Sequence, residues 1–357
     1  MEIKFLYSQF FTKEDYWIEK NDQIKEFIVS NSKGSTTFLD PFFGDGDLLD
    51  ALVRNNLVNN YSNFMGYDID NLIVNNFDNV FYNDSLNKII IPEDREVFLI
   101  TNPPYLARVS AKRKKYPSDL MKHYSNLEND LYKVAMSKMI ETGRPGLAIV
   151  PESFINSNYF LRVSSFINSI TIIIPNPFKD TSVPICVVCF NGKNLNHNVD
   201  FYINNDYVYD FNKFKEFKNK LKPVRSNGII FNDIDGQISL KAVDSTSIKD
   251  ISFCKAEKFN YKKEKIKISS RMMTYIKLSD ENLNNNIGKI VDNANKILED
   301  LRKESADIIF TPFKGNGIYK NENTRRRRLD YGSARAILEQ SIELTKKYEN
   351  KWPKFKQ

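Results

Sequence analysis

The string Thr101-Asn102-Pro103-Pro104-Tyr105 carries the densest chemistry in this 357-residue chain. Two consecutive prolines fix the backbone and remove two N–H donors, so carbonyls can face a ligand as acceptors. The Asn102 side-chain oxygen and the Pro103 carbonyl then offer two acceptors to both hydrogens of a planar amine or amide. Holding both hydrogens pushes that nitrogen toward tetrahedral geometry and aims its lone pair at an electrophile. No proton has to leave before attack, so no strong general base is required. The chain has only two histidines, His123 and His197, which suits such chemistry. Tyr105 is expected to stack on the ring that bears the nitrogen.

Three acids precede this string at regular intervals. Asp40-Pro41-Phe42-Phe43-Gly44-Asp45-Gly46 reads as the end of a strand and the opening of a helix. Gly44 and Gly46 let a ligand approach the backbone. The helix start offers N–H groups to a carboxylate, and Asp40 can take an ammonium. The loop lacks the three ordered glycines of a dinucleotide fingerprint and the Gly-Lys-Ser/Thr of a phosphate loop. Asp68, in Gly66-Tyr67-Asp68-Ile69-Asp70, is placed to accept two ribose hydroxyls. Asp70 is the competing residue, and the strand end favours Asp68. Asp84, in Asn83-Asp84-Ser85-Leu86, is placed to accept from an adenine amino group. Taken singly, Asp68 and Asp84 each read at least as well as a helix N-cap. Spaced after successive strands, the three suggest one extended site.

The elements that must position them alternate. Strands are predicted at Thr37–Asp40, Phe64–Asp68, Val80–Asp84, Val97–Thr101 and Gly146–Val150, with helices over 47–58 and 129–141. The Val97–Thr101 run is apolar throughout, as for a strand buried on both faces. Ile170–Ile174 and Pro184–Phe190 follow without a long helix between them and are expected to form an antiparallel hairpin at the sheet edge. The fold class is α/β, doubly wound, with a mixed, mostly parallel sheet. Beyond residue 200 the pattern loosens into polar segments with scattered aromatics, such as 211–222 and 259–268. Residues 333–349 look helical.

Charge separates the two parts. Residues 1–190 hold 19 Lys and Arg against 23 Asp and Glu, a net −4, and residues 191–357 hold 33 against 22, a net +11. The basic part is expected to meet a polyanion. Lys112-Arg113-Lys114 and Arg325-Arg326-Arg327-Arg328 are candidate nucleic-acid contacts, although four adjacent arginines cannot all face one surface. Cys186 and Cys189 have the spacing of a metal pair, but on a strand they point to opposite faces and no second pair exists, so no metal is expected. Three cysteines, no apparent signal peptide and no long apolar run suggest a cytoplasmic protein away from the membrane.

The order Asp40–Gly46, Asp68, Asp84, Asn102–Tyr105 resembles the DNA N6-adenine methyltransferase family. The resemblance is to the class whose cofactor motifs precede Asn-Pro-Pro-Tyr, as in type II restriction-modification methylases. Gln9-Phe10-Phe11-Thr12 resembles that class's cofactor lid, with Lys13 where a proline often stands. Gly146–Phe154 resembles its later strand motif. Asn176–Val183 resembles the motif whose aromatic residue, here Phe178, stacks on a flipped base. The resemblance spans residues 8–190. It implies a Rossmann-like class I methyltransferase fold over 1–195 and a basic α+β target-recognition domain over 196–357.

It further implies that S-adenosylmethionine is held by Thr12, Asp40, Pro41, Phe42, Gly44, Gly46, Asp68, Asp84, Ser85 and Asn102. Methyl transfer would go to N6 of an adenine flipped out of double-stranded DNA, at a cost of a few kcal/mol that stacking on Tyr105 and Phe178 partly offsets. Such an enzyme is expected to act as a monomer. A restriction endonuclease would share its site without a stable complex. Competing readings are an RNA adenine methyltransferase and a protein glutamine-N5 methyltransferase, which also uses Asn-Pro-Pro-Tyr. A cytosine-N4 enzyme typically begins the motif with Ser, and a non-enzymatic DNA-binding protein would not need the loop, the acids and the turn together.

Overall fold

Short apolar runs that are buried on both faces make parallel strands, and the first half of the chain is built from them. The computed structural model describes residues 15–58, 63–178, 183–193, 198–224, 228–246, 248–313 and 325–351. Thr12 and its neighbours, Lys179–Ser182 and His197 lie outside the described residues. The chain divides into two compact units, Met1–Phe211 and Asn212–Gln357.

The first unit runs α1 (Asp22–Asn31), β1 (Thr37–Asp40), α2 (Asp47–Arg54), β2 (Phe64–Asp68), α3 (Asn71–Val74), β3 (Val80–Tyr82), β4 (Val97–Thr101), α4 (Arg108–Arg113) and α5 (Leu131–Glu141). It continues through β5 (Pro145–Pro151), β6 (Ile167–Ile172), β7 (Ile185–Asn191), β8 (Asp200–Ile203) and β9 (Asp206–Asp210). These strands form one mixed sheet in the order β3-β2-β1-β4-β5-β7-β6-β8-β9. The strands from β3 to β5 are parallel, and β7 runs antiparallel to both β5 and β6. This is a Rossmann-like, doubly wound arrangement.

Alternation along the strands sets the two faces. Phe38, Phe98, Ile100, Leu147, Ile149 and Val187 join α1 and α2 in one apolar cluster. Leu39, Leu99, Ala148 and Val188 on the other face are equally buried. Cys186 and Cys189 are fully buried on β7, burial pushes the Cys189 thiol up to about 12, and no metal-binding cluster occurs among the described residues.

Two expectations change. The β6–β7 hairpin forms, but it is interior: β8 pairs with β6 and β9 with β8, so the sheet extends two strands further. For the same reason the first unit ends at Phe211 rather than at residue 195.

The second unit is α+β. Helix α6 (Phe211–Lys220) begins at the boundary and buries Phe214 and Phe217. Strands β10 (Ile229–Phe231), β11 (Ile238–Lys241), β12 (Ser252–Lys255) and β13 (Met273–Leu278) form an antiparallel sheet in the order β10-β13-β11-β12. Helix α7 (Ile287–Glu304), the short pair β14 (Thr311–Pro312) and β15 (Arg327–Arg328), and helix α8 (Tyr331–Lys351) complete it. Ser341 on α8 donates to the Ile290 carbonyl of α7 at 2.5 Å. No helix among the described residues is long and apolar enough to cross a membrane.

The unit boundary sharpens the charge split. Residues 1–211 carry 20 Lys and Arg against 26 Asp and Glu, a net −6, while residues 212–357 carry 32 against 19, a net +13.

Candidate functional site

Because β1 to β4 are parallel, their carboxyl ends lie along one edge of the sheet. The order reverses between β1 and β4, the place where open α/β sheets form a ligand crevice. Asp40 ends β1, Asp68 ends β2, Asp84 follows β3, and Asn102 follows β4.

Gly44 and Gly46 turn the chain out of β1 with φ of 56° and 83°. A Cβ at Gly46 would lie 2.9 Å from the Phe43 ring, and one at Gly66 would lie 2.3 Å from it. The turn therefore depends on two glycines that make room for one phenylalanine. The Gly44 N–H donates to Asp68 Oδ2 at 2.9 Å, which ties the loop to β2. Asp68 Oδ1 accepts from the Asp70 N–H at 2.8 Å. Asp70 instead caps α3, accepting from the Leu72 N–H at 2.9 Å. The two acids thus divide: Asp68 stands at the strand end and Asp70 serves the helix start.

Asp40 is buried. Its Oδ1 accepts from the Thr101 hydroxyl at 2.6 Å and from the Phe42 N–H at 2.9 Å. Burial outweighs both bonds and, with the nearby Asp68 charge, lifts its carboxyl to about 7. Burial also raises Asp68. Two desolvated carboxylates with only neutral donors favour a cationic or hydroxyl-rich partner. Asp84 is half-buried, with His123 Nε2 3.4 Å from its Oδ2. Ser85 is buried and takes a 2.9 Å bond from Asn83 Nδ2. A crevice is lined by Pro41, Phe42, Asp68, Asp84, Ser85 and Pro104, among others, so four separate segments meet there.

At the end of β4, the Tyr105 hydroxyl lies 2.6 Å from Asn102 Oδ1 and 2.8 Å from the Ile149 carbonyl of β5. Its single proton serves one of these at a time. Burial holds the phenol well above its ordinary range, so it stays protonated. The ring meets Tyr132 edge-on at 6.3 Å and packs against the apolar cluster. Tyr105 therefore orients the Asn102 amide, a role its position in the sequence did not suggest. Phe178 belongs to that same cluster and is only 5% exposed. Apolar packing holds the ring inward, so presenting a face to a base requires it to leave the cluster.

Lys112, Arg113 and Lys114 are exposed at the end of α4. Arg325 and Arg327 are buried, at 7% and 2%, while Arg326 and Arg328 are partly exposed. The alternation of an extended chain removes two of the four arginines from any outer surface. Thr101, the Ile149 carbonyl, Phe43 and His123 were not singled out in the sequence as site residues. Thr101 had a signal, a hydroxyl one residue before the motif. The other three meet the site only through folding.

No family model and no curated protein matches the sequence. Among solved structures, a Listeria monocytogenes protein assigned as a class I S-adenosylmethionine-dependent methyltransferase matches at 14% identity and TM-score 0.37, over 52% of this chain and 66% of that one. A type I restriction-modification methyltransferase subunit from Streptococcus thermophilus matches at 16% and 0.37, over 61% and 55%. The M protein of the type I restriction enzyme EcoKI matches at 12% and 0.39, over 98% and 73%. The chain thus spans less than two thirds of the first two. Likenesses this distant leave the functional reading to the residues of this chain.

Proposed function

We propose that this chain transfers a methyl group from S-adenosylmethionine to N6 of a flipped-out adenine in double-stranded DNA. One observation carries the reading: the Asn102–Tyr105 turn leaves β4 beside a crevice lined from the ends of β1, β2 and β3. The residues suit the cofactor. Asp40 meets its ammonium, Asp68 its ribose hydroxyls and Asp84 its adenine amino group, while Pro41, Phe42, Gly44, Gly46, Ser85 and Asn102 shape the walls. Bound there, the cofactor supplies an electrophilic methyl group.

The rest is done by the turn. Asn102 Oδ1 and the Pro103 carbonyl accept the two amino hydrogens and aim the nitrogen lone pair. Tyr105 keeps the Asn102 oxygen turned the right way, and an amide oxygen with two lone pairs accepts from both. The proton leaves after transfer, so a weak acceptor suffices. Phe178 stacks on the base after leaving its cluster. The second unit, at +13, is the DNA-binding part and favours a nucleic acid over a glutamine side chain as substrate. Lys112, Arg113 and Lys114 contact phosphate beside the target. The chain works as a monomer and protects a site shared with a separate endonuclease.

The test is methylation-sensitive sequencing of DNA from cells expressing the chain or its Asn102→Ala variant. N6-methyladenine at one recurring site with the parent chain alone is the expected result. Equal methylation with the variant refutes the mechanism, and no modified adenine in either culture refutes the substrate.

A further inference from the structure

The second unit contains a pocket of about 340 Å³, open to solvent, whose walls include Lys241, Ser245, Tyr261, Arg271, Met272 and Arg326. Its charges are not equal. Lys241 is paired with Asp250 and hydrogen-bonded to Ser245. Among the described residues, neither the Arg271 nor the Arg326 guanidinium has a carboxylate partner. Both are nevertheless held in place. Arg326 donates through Nε to the Asp244 carbonyl at 2.9 Å and lies 4.4 Å from the Phe313 ring. Arg271 donates to the Ser270 and Ile268 carbonyls at 2.8 and 3.2 Å.

The anchor of Arg326 is rigid. Asp244 takes both Arg302 Nη groups at 2.8 Å and the Arg327 N–H at 3.0 Å. Arg302 Nε also holds Asp307 at 2.7 Å. Two guanidiniums fixed without a counter-charge suit a phosphate, since little side-chain freedom is lost on binding. One wall is apolar. Met272 is 51% exposed, and the chain leading to it holds a lysine-rich stretch that includes Lys262, Lys263, Lys265 and Lys267. Tyr261 offers a ring.

We propose that this pocket takes one nucleotide of a DNA strand. Arg271 and Arg326 hold the phosphate, and Tyr261 and Met272 form the surface against which the sugar or base rests. The assignment rests on the reading of DNA as substrate and adds the residues by which the second unit grips it.

The experiment is fluorescence anisotropy with a fluorescein-labelled, mixed-sequence duplex over a salt series. It uses the full chain and its Arg271→Ala, Arg326→Ala, Tyr261→Leu and Lys296→Ala variants. Each arginine variant is expected to bind several-fold more weakly and to lower the log–log salt slope by about 0.9, the value for one lost phosphate contact. Tyr261→Leu is expected to weaken binding without changing the slope. Lys296→Ala, exposed on α7, is expected to match the parent. Arg271 is exposed, so its variant tests the pocket even where Arg326→Ala perturbs folding. Parent binding with unchanged affinity and slope in Arg271→Ala overturns the pocket and leaves the methyltransferase reading intact. A parent chain that binds no duplex at any salt overturns the DNA reading and the pocket together.

Discussion

Asp40 and Asp307 are both buried aspartates, yet their surroundings drive them in opposite directions. In the first unit, Asp40 has a hydroxyl and an amide as partners, and burial raises its carboxyl to about 7. In the second, burial also works to raise Asp307, but the hydrogen bonds and charges of Arg302 and Lys249 overcome it and hold the group below its ordinary value. A buried acid with full charge compensation is structural. One left with neutral donors sits in a place suited to a ligand that brings the missing charge.

Breaking the structural side first gives the largest effect. Arg302→Ala leaves Asp244 and Asp307 buried without their guanidinium and is expected to cost about 3–5 kcal/mol, read by chemical denaturation. A loss below about 1 kcal/mol would show that the network is not structural. Asn102→Ala on the functional side is expected to lower methylation about 10²–10³-fold, by analogy with removing one transition-state hydrogen bond, while cofactor binding by calorimetry stays close to the parent. Collapse of cofactor affinity instead would place Asn102 in the binding site alone.

Asp40→Asn tests the contrast directly. The raised carboxyl means that the unfolded chain ionises first as pH climbs from about 4 to about 7, so stability falls across that window and the cost persists above it. Asn removes that cost, so the variant is expected to be more stable than the parent at pH 8 and less pH-dependent, while losing cofactor affinity. Asp307 has the opposite sign: its contribution is present above the unfolded value and lost as pH falls through the lowered one. Parallel pH profiles for the parent and Asp40→Asn would undo the assignment. The smallest effect is expected for His123→Ala, a few-fold loss of cofactor affinity through Asp84. No change in calorimetry would make His123 a bystander.

Much of the first unit was legible because its strands are apolar on both faces and end in acids or turn residues. The second unit was harder to read. Helix α7 was not foreseen although Ile287, Ile290, Val291, Ala294, Leu298 and Leu301 recur at helical spacing. Its two asparagines, four acids and four basic residues made the segment look like the polar loops around it. Helix α6 was obscured in the same way by lysines and asparagines between Phe211, Phe214 and Phe217. Strands β8 and β9 are short, and nothing local in them announces which sheet they join.

By itself the sequence determined the parallel-sheet fold, the strand-end acids, the Asn102–Tyr105 turn and the sign of each half's charge. All of these follow from residue type and from spacings within one segment. Tertiary structure alone decided that the Tyr105 hydroxyl lies between the Asn102 oxygen and the β5 backbone, that Phe178 lies inside the core, and that Arg325 and Arg327 turn inward while Arg326 lines a pocket. Each of these depends on which face of one element meets another far away in the chain, and hydrogen bonds and burial between distant segments leave no local signature.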